Sequence, residues 1–200
     1  MNEIETLSRT WFLQINGSND TPTWLVHIAV GIADDLIYLI PLLLLGFWLW
    51  GSPTRRSMAL KASLVTLVSL AANQAICALW PHPRPFMIGL GHAWMVHVAD
   101  SSFPSDHMTV FCGIGLTLFF EGAVAWGIVT LLVGLGVAWA RVFLGVHFPL
   151  DMVGALVVSL GVYAALTPFW SRVGLRITGL VEQLYRTILA QAIRAGWVRG

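Results

Sequence analysis

Five apolar stretches, at residues 24–50, 58–80, 103–120, 124–144 and 150–170, leave this chain little choice of architecture. Crossing the hydrocarbon core of a bilayer takes about 20 predominantly apolar residues, and in lipid only a helix or a closed barrel satisfies its own backbone donors and acceptors. All five stretches are near or above that length. Composition agrees, with 57% of the 200 residues hydrophobic and 10% charged, against about 25% charged in a soluble domain. The sequence predicts an all-α fold, a polytopic membrane bundle of five to six helices forming one domain over residues 1–200, with the bundle itself at 24–170. Its first partner is the bilayer.

Outside the bundle, Ile4, Leu7, Trp11, Phe12 and Ile15 recur at helical spacing, as do Leu175, Leu180, Leu184, Ile188 and Ala192 with arginines between them. Residues 1–16 and 171–200 therefore read as amphipathic interfacial helices at the two ends. The first 16 residues lack the basic start and apolar core of a cleavable signal peptide, so insertion is expected from internal segments. Trp24, Trp48, Trp50, Trp80 and Trp170 fall at expected span ends, as in an aromatic belt. Gly127, Gly134 and Gly136 suit close helix packing.

Net charge is +1, which argues against a nucleic-acid partner. Cys77 and Cys112 lie inside apolar runs and read as small buried hydrophobes, with neither a disulfide nor a metal role. Basic residues divide by side: Arg55, Arg56, Lys61, Arg172, Arg176, Arg186, Arg194 and Arg199 on one, only Arg9, Arg84 and Arg141 on the other. Eight against three places the first set, and the C-terminus, in the cytoplasm. Asp34 and Asp35 interrupt the first stretch, where a charge costs about 2.5–3.5 kcal/mol. Either the helix breaks there near the outer surface, the preferred reading, or the pair faces the interior and meets an arginine.

Three polar islands remain: residues 81–86 with His82 and Arg84, residues 102–107 with Ser105, Asp106 and His107, and residues 141–151 with Arg141, His147 and Asp151. The alternation of spans puts all three on the outer side. Together they hold two arginines, acidic and hydroxyl groups, and two expected helix starts at Pro104 and Pro149. Helix N-termini and guanidinium forks both suit phosphate oxygens. Asp151 follows His147 by four residues, so its carboxylate can fold back and fix the imidazole tautomer, leaving the other ring nitrogen to attack phosphorus. His107 is then the candidate acid for the leaving oxygen.

These islands resemble the signatures of the type 2 phosphatidic acid phosphatases, Lys-x6-Arg-Pro, Pro-Ser-Gly-His and Ser-Arg-x5-His-x3-Asp. Arg84-Pro85 matches the first, Pro104-Ser105-Asp106-His107 the second, and Arg141, His147 and Asp151 the third. Cys77 stands in place of the lysine, Asp106 of the glycine and Ala140 of the serine. With residues 97–107 and 83–86, these departures resemble the bacitracin-resistance branch of undecaprenyl pyrophosphate phosphatases.

The resemblance implies catalysis by His147, His107 and Asp151, phosphate binding by Arg84, Arg141 and Ser105, no metal or other cofactor, and a polyprenyl pyrophosphate lipid as substrate. It further implies a multi-pass protein of the bacterial inner membrane with its site facing outward, recycling the cell-wall lipid carrier. A phosphatidylglycerophosphate or phosphatidate phosphatase, or a lipid phosphotransferase, carries the same motifs. A noncatalytic lipid-binding protein is opposed by the paired His147 and Asp151.

Asp106 is expected at the phosphate site, either complementing its own helix N-terminus or pairing with Arg84 or Arg141. His82 is expected to replace part of the missing cation. His27, His92 and His97 read as structural, and Asp100, Ser101 and Ser102 as caps of the following helix, with Asp100 within possible reach of substrate.

Overall fold

Prolines and serines set two of the longest helices. In the computed structural model, which describes residues 3–200, Pro53 opens α4 (Pro53–Leu79), with the Ser52 hydroxyl accepting the Arg55 N–H, and Pro149 opens α7 (Pro149–Ile188). The other α-helices are α1 (Glu3–Ile15), α2 (Thr23–Asp35), α3 (Leu39–Leu49), α5 (Asp106–Phe120), α6 (Val124–Phe143) and α8 (Ala190–Arg194), and there is no strand among the described residues. The interfacial helix expected over 1–16 is α1, the first two residues lying outside those described.

Among the described residues, four helical segments are long and apolar enough to cross a membrane: Thr23–Leu49, Pro53–Leu79, Val124–Phe143 and Pro149–Ile188. The fifth expected span is different. Residues 103–105 are not helical, and α5 has 15 residues, about 22 Å at 1.5 Å per residue. That is short of the hydrocarbon thickness, and α5 is instead the enclosed centre, packed against α4, α6 and α7. Its Met108, Cys112 and Leu116 meet Ala138 and Val142 of α6, Met152 and Ala155 of α7 and Phe12 of α1. Gly127 and Gly134 allow this approach, since a Cβ on either would collide with Phe119 or Phe111, whereas Gly136 faces open space.

Both readings of the acidic pair hold in part. A 3-10 turn at Leu36–Tyr38 interrupts the first span, and Asp34 Oδ1 lies 3.8 Å from Arg141 Nη1. At the other end of the chain no boundary appears at residue 171, because α7 runs unbroken through Pro168 for 40 residues. Trp170, expected as an interfacial anchor, is consequently buried in mid-helix, 3.3 Å from Ser57 Oγ. The chain then returns: the Arg199 N–H donates to the Leu49 carbonyl at 2.9 Å.

Two residues counted as cytoplasmic charge are buried inside the fold. Arg56 pairs with Glu182 at 3.3 Å and also donates to the Arg199 carbonyl, while Lys61 Nζ meets Glu121 at 2.6 Å and Thr167 Oγ1 at 3.0 Å. Removing Lys61 leaves the partly exposed Glu121 carboxylate without its cation and empties a buried position, so the fold loses both a contact and packing. Lys61→Met is expected to lower the thermal midpoint in detergent by several degrees, and Lys61→Met with Glu121→Gln to recover most of it. Equal midpoints for wild type and the single variant would contradict the buried pair.

Candidate active site

The three islands meet at one end of the bundle because the C-terminal ends of α4 and α6 and the starts of α5 and α7 lie together there. The long connection after α4 is clipped to itself: the Ser102 N–H donates to the His82 carbonyl at 2.7 Å and the His82 N–H to Ser101 Oγ at 3.0 Å. The Ser105 N–H donates to the Asp151 carbonyl at 3.2 Å, tying the start of α5 to that of α7. Between α6 and α7 the chain turns at Gly145, whose φ of +82° and contact with the His92 carbonyl leave no place for a side chain.

α1 supports that turn from outside. Ser8 Oγ accepts the Leu150 N–H at 3.3 Å, and Phe12 packs edge-on to Phe148. Asn16 then bridges two segments, its amide donating to the His92 and Phe143 carbonyls at 2.9 Å while its oxygen accepts the His92 N–H at 2.7 Å.

His147 is buried, with Asp151 Oδ2 3.1 Å from Nδ1 and Arg84 Nη1 3.0 Å from Nε2. Arginine only donates, so Nε2 carries the lone pair and Nδ1 the proton, which it gives to the carboxylate. Burial, together with the charges of Arg84 and Arg141, holds the imidazole well below its usual pKa and therefore neutral. Asp151 Oδ2 also accepts the Phe148 N–H at 2.8 Å and the Ser102 hydroxyl. Three donors on one oxygen fix the carboxylate against the ring.

Arg84 is fastened by Asp100 Oδ1 at 2.7 Å, the Val146 carbonyl at 2.9 Å and the Ser101 carbonyl at 3.3 Å. The Asp100 carboxyl is raised by burial, but the hydrogen bond and charge of Arg84 outweigh this and leave it below its usual pKa. Arg141 is buried, with Nη2 3.0 Å from His97 Nε2. Its Nε, like Ser105 Oγ, is a buried donor with no partner among the described residues. Ser105 is the N-cap of α5, with Asp106 and His107 following in its first turn. Pro104 thus precedes the helix rather than opening it. His107 is half-buried, with Arg141, His147, His97 and Arg84 as its electrostatic neighbours.

Two expected residues are placed elsewhere. Asp106 bonds neither arginine: its oxygens accept Asn73 Nδ2 at 2.8 Å and Gln74 Nε2 at 3.2 Å, both from α4. His82 lies behind Asp151 in an apolar groove of about 520 Å³ that also includes Arg9, Trp80, Phe103 and Val157, and its Nε2 is 3.9 Å from Glu5. Neither Arg84 nor His147 lines that groove. Conversely, Asp100, Ser101 and Ser102 do not cap α5 but brace Arg84, the His82 backbone and Asp151. His97 reaches Arg141. Their signal in the sequence was only proximity to the second island. Cys112 is buried, while Cys77 is half-buried with Sγ 3.3 Å from the Phe103 carbonyl, and both are free thiols.

A neutral imidazole with a defined lone pair, an orienting carboxylate, two arginines, a helix N-terminus and two unpartnered buried donors form an arrangement chemically suited to a phosphate group. The PAP2 superfamily model matches residues 58–174, which contain every one of these groups. "Putative undecaprenyl-diphosphatase YbjG" of Escherichia coli (strain K12) is 36% identical over 98% of this chain and 99% of its own length. "Undecaprenyl-diphosphatase BcrC" of Bacillus subtilis (strain 168) is 33% identical over 74% of this chain and 77% of its own.

Among solved structures, Aquifex aeolicus LpxE aligns with a TM-score of 0.63 at 20% identity, covering 78% of this chain and 92% of that one. A transmembrane PAP2-type phosphatidylglycerolphosphate phosphatase from Bacillus subtilis gives 0.62 at 20% identity, covering 86% and 88%. These two likenesses concern the fold.

Proposed function

Because this chain belongs to the PAP2 superfamily, we propose that it is a membrane phosphatase that converts undecaprenyl diphosphate and water to undecaprenyl phosphate and inorganic phosphate. The observation that carries the reading is the buried Asp151 carboxylate that accepts from Ser102 and His147 and so leaves the Nε2 lone pair of His147 facing Arg84. The names of the two relatives favour a diphosphate over a phosphomonoester substrate.

Nε2 of His147 attacks the terminal phosphorus; a P–N bond forms as the bond to the bridging oxygen breaks. His107, protonated in the field of the bound diphosphate anion, gives its proton to that oxygen, and the lipid monophosphate leaves. Water then attacks the phosphohistidine, His107 takes its proton, the P–N bond breaks, and inorganic phosphate departs. Arg84, Arg141, Ser105 and the N-terminus of α5 receive the charge on the equatorial oxygens. Asp106 serves this cradle indirectly, by fixing the start of α5 against α4.

The site faces outward and the C-terminus inward in the bacterial inner membrane, supported by the excess of arginines at the end away from the site. Phosphate release from undecaprenyl diphosphate by the purified protein in detergent with EDTA tests the reading. Turnover is expected to continue with the chelator at its full rate, since guanidinium and N–H donors supply the phosphate contacts. No release from this lipid, with release from phosphatidate, would overturn the substrate assignment.

A further inference from the structure

A diphosphate brings two phosphoryl groups to a site whose donors around His147 suffice for one. The second needs its own partner, and cations here are few. The chain's one lysine, Lys61, is held by Glu121 far from the site, and Arg9 lies in the groove behind Asp151. What remains on the catalytic side is Arg141 with His97 against it.

The geometry of His97 is that of a side chain held in reserve. Its Nδ1 is 3.1 Å from the Val98 carbonyl, to which it donates, so Nε2 accepts from Arg141 Nη2 at 3.0 Å. The ring centroid is 6.4 Å from that of His147, close enough for adjacent phosphoryl groups of one substrate to meet one ring each. Val96 and Val98 on either side are exposed, so neither flanking side chain anchors His97 in the core. Three residues on, Asp100 holds Arg84. One short loop segment therefore engages both phosphate-binding arginines.

We propose that His97 is a substrate-binding residue that takes the lipid-side phosphate of a diphosphate, releasing Arg141 to the reacting phosphate as it does so, and thereby makes the site prefer diphosphates to phosphomonoesters. Burial and the fields of Arg84 and Arg141 hold the imidazole below its usual pKa, against the opposing effects of Val98 and Asp100. A phosphate group beside the ring reverses that field and favours a second N–H, turning the acceptor toward Arg141 into a donor toward the phosphate.

The inference rests on the diphosphatase reading, and one comparison separates the two. Kinetics of wild type, His97→Ala and His97→Lys are measured on undecaprenyl diphosphate and on phosphatidate. His97→Ala is expected to lose about thirtyfold in kcat/KM on the diphosphate, the scale of a charge-assisted hydrogen bond, mostly through KM, and less than about threefold on the monoester. His97→Lys, which keeps a cation, is expected to stay within about threefold on both. Equal losses on the two substrates would mean a structural role, and no loss on either would mean no role; both overturn the inference and leave diphosphatase activity standing. A wild type that cleaves phosphatidate but not the diphosphate overturns the reading and the inference with it.

Discussion

His147→Ala is expected to cut phosphate release by at least about 10⁴-fold, because it deletes the atom that bonds to phosphorus rather than one that assists it. His107 does not replace it, since it lies at the start of α5 with no carboxylate among the described residues hydrogen-bonded to it as Asp151 is to His147. The wild type should also accumulate label from a diphosphate carrying ³²P in its terminal phosphate when quenched in alkali, where a P–N bond survives. The alanine variant should show no label. Labelled His147→Ala protein, or turnover within about tenfold of wild type, would move the nucleophile elsewhere.

Asp151→Asn should cost about 10³-fold while leaving the fold intact. An amide of the same shape can keep its oxygen where the His147, Phe148 and Ser102 donors converge on Oδ2, but as a neutral and weaker acceptor. It also lacks the negative charge that stabilises the ring once a phosphoryl group makes it cationic. Turning its NH₂ toward the ring would instead favour the tautomer with the proton on Nε2, which cannot attack. Rate measurements alongside the thermal midpoint decide the matter. A loss under about tenfold with an unchanged midpoint would show that orientation by Asp151 contributes little.

Within each island the candidate site was legible where residues sit at short, fixed separations that a helix start converts into contact, as with His147 and Asp151 four apart at the opening of α7. The residues that hold the site in place were not. Asp100 and Ser102 reach partners 16 and 49 positions away from an irregular loop, so no period could reveal that they brace rather than cap. Asp106 does sit at its own helix N-terminus, one of its two expected placements, but its side-chain partners were hidden for a related reason. Its partners Asn73 and Gln74 look like ordinary polar positions near the end of an apolar span.

Hydropathy located the helices but misjudged two ends. α5 is short because its neighbours, not lipid, surround it, and α7 passes Pro168 and residue 171 without a break although the end of the apolar stretch and the arginines after it suggested an end.

The pair of Lys61 and Glu121 has a bearing on how such a protein is made. The two are 60 positions apart, and Thr167, the other partner of Lys61, is 106 away. When α4 leaves the ribosome, its ammonium group has no counterpart yet synthesised. It stays in water at the membrane edge until α5 and the turn after it have followed, and its surroundings are complete only when the middle of α7 emerges. The burial of this charge thus joins segments from the second, third and last parts of the chain, and none of them alone can complete it.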